Sequence, residues 1–140
     1  MLRSRGKQGM IRRKPPQSQG GDKVFYGGRK SVGEMKDPEI AVILPCYNEE
    51  AAIGGVIEGF RAVLPAARIY VYDNNSTDRT VEAARQAGAV VRAETRQGKG
   101  SVVRRMFADI EADAYLMADG DGTYDAESAP AMIRLLIDEN

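Results

Sequence analysis

A chain of 140 residues and 15.3 kDa has room for one domain. It carries 20 Lys/Arg, 20 Asp/Glu, one cysteine and no histidine. This excludes Ser–His and Cys–His nucleophile pairs, histidine metal sites, intrachain disulfides and Cys-rich zinc sites. Any metal must be held by oxygen, which favours Mg2+, Mn2+ or Ca2+.

The charge is unevenly placed. Residues 1–39 hold ten Lys/Arg against four Asp/Glu, and residues 40–140 hold ten against sixteen. Residues 1–38 contain seven Gly and three Pro, and their apolar residues follow no period, so they are expected to form a disordered basic arm. A solvated tail is the ordinary role of such a segment. The alternative is attraction to an anionic membrane surface, at about 1 kcal/mol per basic residue. Binding of nucleic acid is not expected, because Phe25 and Tyr26 are the arm's only aromatic residues available to stack on bases. No apolar run approaches membrane-spanning length and the N-terminus lacks a signal-peptide core, so the expected compartment is the cytoplasm or the cytoplasmic face of a membrane.

From Glu39 the pattern is regular. Ile40–Leu44 is an all-apolar run that reads as a strand buried on both faces. Glu49–Leu64 has Ile53, Val56, Ile57, Phe60 and Leu64 at helical spacing. Arg68–Tyr72 is the second strand, Thr77–Ala87 the second helix, with Gly88 placed as its C′ glycine. Ala89–Arg92 is the third strand. Val102, Val103, Met106, Phe107 and Ile110 mark a third helix, Ala114–Ala118 a fourth strand and Glu127–Ile137 a final helix. This alternation predicts an α/β, Rossmann-like, mostly parallel sheet with helices on both faces. The domain is expected to span 39–140.

In such a sheet, ligands bind beyond the carboxyl ends of the strands. Three polar clusters fall there: Pro45–Glu50, Asp73–Asp78 and Asp119–Asp125. Each alone has an ordinary explanation. Ser76 or Thr77 can cap a helix, Asn48-Glu49-Glu50 can start one, and Asp-Gly is a common turn. Their shared address outweighs these explanations. Asp119-Gly-Asp121-Gly122 is the sharpest feature, because two neighbouring carboxylates repel and a divalent cation removes the repulsion. Such a pair leaves coordination positions open for phosphate oxygens and water, which points to a nucleoside diphosphate. Gly98-Lys99-Gly100 opens a helix, where backbone N–H groups and a lysine can meet an anion. It lacks the spacing of a Walker loop. Cys46, without a histidine partner, reads as inert packing.

Together Ile40–Glu50, Val71–Thr80, Gly98–Gly100 and Asp119–Asp125 resemble the family-2 glycosyltransferases of the GT-A fold. Within that family the nearest likeness is to the dolichyl- or polyprenyl-phosphate mannose synthases. The resemblance covers residues 38–140. It implies that Pro45, Tyr47, Asn48 and Glu49 line the nucleoside pocket and that Asp73 bonds the base. Asn75 stands in the following loop, Asp78 serves the loop itself, and Lys99 lies near the nucleotide. It implies that Asp119 and Asp121 are the DxD pair, both catalytic and metal-binding, with Mg2+ or Mn2+ bridging to the donor diphosphate. Asn74 stands where the family usually has a second Asp.

The implied reaction is inverting transfer of a sugar from a GDP- or UDP-linked donor, with a polyprenyl phosphate at a membrane surface as a candidate acceptor. The alternative is a nucleotide-sugar-binding module without turnover. Family members continue for about as much chain again, carrying the acceptor site. The sequence is therefore expected to be truncated, with an exposed sheet edge inviting self-association.

Overall fold

The computed structural model describes residues 10–12 and 37–138. Five strands form one sheet in the order β1-β5-β2-β3-β4. The strands are β1 (Met10–Arg12), β2 (Ile40–Cys46), β3 (Arg68–Asp73), β4 (Val90–Ala93) and β5 (Ala114–Met117). The helices are α1 (Ile53–Val63), α2 (Thr80–Gln86), α3 (Lys99–Asp109) and α4 (Ala129–Asp138), the last preceded by a 3-10 turn at Ala126–Ser128. β2, β3, β4 and β5 are mutually parallel, and β1 is antiparallel to β5.

The handedness of the crossovers decides the layers. From β2 the chain steps through α1 to β3 and through α2 to β4, moving one way along the sheet. It then returns past β2 through α3 to reach β5. A right-handed connection that reverses direction must cross the opposite face. Accordingly, α1, α2 and α4 share one core with Val42, Leu44, Val71 and Leu116. On the other face, α3 packs Val102, Met106 and Ile110 against Ala41, Ile43, Tyr70, Tyr72 and Tyr115. The central run Ala41–Leu44 is buried throughout, as a strand covered on both faces requires.

The α1 face buries Ile53, Ile57 and Phe60 at the predicted spacing. Helix α2 closes in a Schellman motif: the Gly88 N–H donates to Arg85 O and the Ala89 N–H to Ala84 O, with Gly88 at φ +85°. Helices α1 and α2 each start three or four residues later than periodicity suggests. Residues 49–52 and 77–79 are instead drawn into a loop network described below.

The expected disordered arm falls almost entirely outside the described residues. Its Met10–Arg12 is a strand in register with Met117, Leu116 and Tyr115, which differs from the expectation of no regular structure. The β5 edge carries β1, while β4 forms the other margin. Among the described residues no helix is long and apolar enough to cross a membrane.

Candidate functional site

Strand order reverses between β2 and β5, and the crevice of a doubly wound sheet opens at that point. The residues following β2, β3 and β5 meet there. Pro45 is half-buried at the end of β2, and Tyr47 just beyond it is 51% exposed. Asn48 takes a positive φ of 50°. Its backbone N–H donates to Ser76 Oγ (2.8 Å), and its Oδ1 accepts from the Thr77 N–H (2.8 Å). The Glu49 N–H donates to Thr80 Oγ1 (2.8 Å), and Thr80 in turn donates to Asp78 Oδ1. The Glu50 N–H donates to Asp78 Oδ2 (3.3 Å), and Glu50 Oε2 accepts from the Arg79 N–H (2.7 Å). The first two loops are therefore laced together by side chain–backbone bonds.

Several ordinary explanations fail on this geometry. Ser76 and Thr77 do not cap α2, which starts at Thr80 behind Arg79 with no side-chain cap. Ser76 serves Asn48 instead. Asp78 does serve its own loop, through Thr80 and Glu50, and those donors hold its carboxyl below the usual value, with the Thr80 hydroxyl the largest cause. Thr80, fully buried, was not among the residues the sequence singled out; a Thr two positions after Asp78 is the signal that could have found it.

Asp73 ends β3 and is 7% exposed. Its Oδ2 accepts from the Ser76 N–H at 3.2 Å. Its Oδ1 is buried and has no hydrogen-bond partner among the described residues. A buried carboxylate oxygen without a donor costs free energy and marks a place where a donor belongs. Asn75 sits at φ 65° and donates to Thr95 O and Gln97 Oε1.

Asp119 and Asp121 follow β5, both half-buried. The Lys99 ammonium at the start of α3 reaches Asp119 Oδ1 at 2.5 Å. Asp121 Oδ1 accepts from the Thr123 N–H (3.0 Å) and Thr123 hydroxyl (2.6 Å), and Gly122 has φ +79°. Gly120 lies over the end of β2: a Cβ built there would stand 2.5 Å from Cys46 Sγ. Burial pushes the Cys46 thiol well up, and the fields of Glu49, Asp73 and Asp119 push it further. The thiol is thus held protonated as packing, as expected.

Among the described residues no three acidic or thiol side chains converge to hold a cation by themselves. Two hard carboxylates, one of which already attracts an ammonium, fit a Mg2+ or Mn2+ ion whose other ligands are phosphate oxygens and water. Beside them lies an open depression of about 350 Å3 lined by Ala52, Gly55, Val56, Gly59, Phe60, Tyr124 and Asp119. Tyr124 stacks on Phe60 at 5.5 Å between ring centroids and ties the loop after β5 to α1.

The model of the family described as "Glycosyl transferase family 2" matches residues 41–140. The chain belongs to glycosyl transferase family 2. Among its relatives, Protein RfbJ of Shigella flexneri is 61% identical over 98 residues, covering 70% of this chain and 76% of that protein. Glycosyltransferase AglJ of Haloferax volcanii is 42% identical over 101 residues, 71% of this chain and 33% of its own length. A solved structure of glucosyl-3-phosphoglycerate synthase from Mycobacterium tuberculosis, in complex with Mn2+, UDP and phosphoglyceric acid, superposes with a TM-score of 0.64 at 29% identity. It covers 71% of this chain and 39% of that one. The same enzyme has been solved with Mg2+ and UDP. The chain thus spans three-quarters of RfbJ but well under half of these other two family-2 proteins. The likeness to that structure establishes the GT-A type of α/β fold, and the family membership makes this a glycosyltransferase domain by resemblance.

Proposed function

We propose that residues 39–140, joined at the sheet margin by Met10–Arg12, bind the diphosphate sugar donor of a sugar transfer. The observations that carry this reading are the buried Asp73 Oδ1 that lacks a donor and the Lys99–Asp119 ion pair, with Asp73, Asp119 and Asp121 all placed at or just beyond the carboxyl ends of strands. In this reading the Asp73 carboxylate accepts from an N–H of the base, and exposed Tyr47 offers a ring for the base to lie against. Pro45, Asn48, Glu49 and Asn75 frame the nucleoside end. Lys99 turns its ammonium from Asp119 to the diphosphate, a charge-assisted contact. Asp119 and Asp121 hold Mn2+ or Mg2+, the ions found with UDP in the mycobacterial synthase. When bound, that ion neutralises charge on the departing diphosphate.

The depression beside Asp119 holds the sugar so that the acceptor approaches opposite the diphosphate, and a single displacement of that kind inverts the anomeric carbon. For the acceptor we assign a polyprenyl phosphate, already anionic and in no need of a base. It would be met at a membrane surface that the basic residues of 1–38 approach. A dolichyl-phosphate hexose transferase of Haloferax volcanii, 33% identical over 100 residues, supports that assignment. Self-association would use one of the two sheet margins, β1 or β4.

Calorimetric titration with UDP- and GDP-linked sugars tests the reading. Heat is expected with Mn2+ and not with EDTA. No binding of either donor in saturating Mn2+ overturns it. Release of nucleoside diphosphate on adding polyprenyl phosphate separates transfer from binding alone.

A further inference from the structure

We propose that Asn74 is a positioning residue that holds the 94–98 loop so that Lys99 reaches Asp119 and the donor diphosphate. The inference rests on the donor-binding reading above.

Asn74 follows Asp73 directly and is 6% exposed. Its own N–H donates to Cys46 O at 2.9 Å, so its backbone is pinned to the end of β2. Its side-chain amide uses both donors and its oxygen on backbone groups of a distant segment. Nδ2 donates to Glu94 O (2.7 Å) and to Arg96 O (2.9 Å), and Oδ1 accepts from the Gly98 N–H (2.9 Å). These three bonds span the chain from the end of β4 to the residue before Lys99. Gly98 itself has φ +113°, a conformation that side-chain-bearing residues rarely adopt, and α3 begins immediately after it. The Lys99 ammonium then meets Asp119 Oδ1. A continuous path of hydrogen bonds therefore runs from the centre of the sheet through one buried amide to the cation at the crevice.

The chemistry requires an amide. A carboxylate has no donor and would set its oxygens against the carbonyls of Glu94 and Arg96, while keeping only the acceptor for Gly98. This accounts for Asn at a position where the family resemblance leads one to expect Asp.

A double-mutant cycle on binding of UDP with Mn2+, with GDP run in parallel, tests the proposal. Asn74→Asp and Lys99→Met should each weaken binding about tenfold. If Asn74 acts through Lys99, Lys99→Met in the Asn74→Asp background should cost less than about twofold more. Thermal unfolding is read alongside: a purely structural Asn74 lowers the melting midpoint but leaves the cost of Lys99→Met unchanged. Additive losses in the double variant overturn the proposal. Should Asn74→Asp fail to fold, Asn74→Ser, which keeps one hydroxyl donor, enters the same cycle with the same expectation. Wild-type protein that binds neither diphosphate removes the donor-binding reading and this inference with it. Wild-type binding with an additive cycle removes this inference alone.

Discussion

The two ends of the crevice are built differently. At the end proposed for the nucleoside, Asn48, Glu49 and Glu50 are bonded across about thirty residues of sequence to Ser76, Thr77, Asp78, Arg79 and Thr80, and Asn74 ties the same region to the 94–98 loop. At the end proposed for the metal, Asp121 accepts from Thr123 and Asp125 from Glu127, each two residues away. That end meets the rest of the molecule through the Lys99–Asp119 ion pair, the Gly120–Cys46 contact and the Phe60–Tyr124 stack. A region held by many mutually supporting hydrogen bonds is set before its ligand arrives. A region with the side-chain bonds of short turns and an exchangeable ion pair can be completed by its ligand. The base would then be recognised by a preformed surface, while the diphosphate and its ion organise their own surroundings.

This contrast can be broken from the metal end first. Asp121→Ala should weaken Mn2+-dependent binding of UDP or GDP about a hundredfold or more, since removal of even an outer-shell partner costs tenfold to a hundredfold. Its melting midpoint should shift by only a few degrees, because the lost bonds are those of one short turn. Calorimetry and differential scanning together check both halves of that expectation.

Gly120→Ala should cost about 1–3 kcal/mol in urea unfolding, because the new methyl group overlaps Cys46 Sγ at the end of the sheet. In a Cys46→Ala background the same change should cost clearly less. An equal cost in both backgrounds would show that the metal loop does not rest on the thiol.

At the nucleoside end, Asn48→Ala removes the acceptor for the Thr77 N–H and places a methyl-bearing residue at φ 50°. A loss of about 1–3 kcal/mol is expected from strain and the orphaned donor together. Asn48→Gly relieves the strain and should recover part of it, again by urea unfolding.

The smallest effect lies away from the crevice, where Asp109 on α3 bonds Arg105, Arg92 and the Tyr72 hydroxyl. The Arg105 guanidinium, first among these partners, holds the Asp109 carboxyl below its ordinary 3.8. A depressed carboxylate contributes stability above that ordinary value and loses it as the pH falls through the folded value. Asp109→Asn should therefore reduce stability slightly at neutral pH and flatten the loss on acidification. The two arginine partners are solvent-exposed, so the change is small. An unchanged acid limb in the variant would remove Asp109 from the account.

Much of the fold was legible because its signals are local and periodic. The apolar run Ile40–Leu44, the α1 spacing and Gly88 each point to one element, and alternating elements leave little choice but a parallel sheet. The address of the candidate site, beyond the ends of strands, was legible for the same reason, since all three polar clusters follow strands. Strand β1 was not, because Met-Ile-Arg amid glycine, proline and basic residues has no period to read. Nor were the helix starts: Thr77 and Glu49 suit a first turn by type, and only the partner loop 28–31 residues away decides otherwise. Asn74 stood out in sequence as a departure from Asp, but what its amide bonds to is set by the path of β4, which no local pattern carries.

The order β5-β2-β3-β4 also bears on how the protein is made. As the chain leaves the ribosome, β2, β3 and β4 emerge in sequence and zip onto one another on a single side. The other flank of β2 stays without its neighbour until Ala114–Met117 has been synthesised. During that interval the nascent domain presents an open template at its very middle. Chaperone occupancy on stalled ribosomes should peak there and fall once β5 docks.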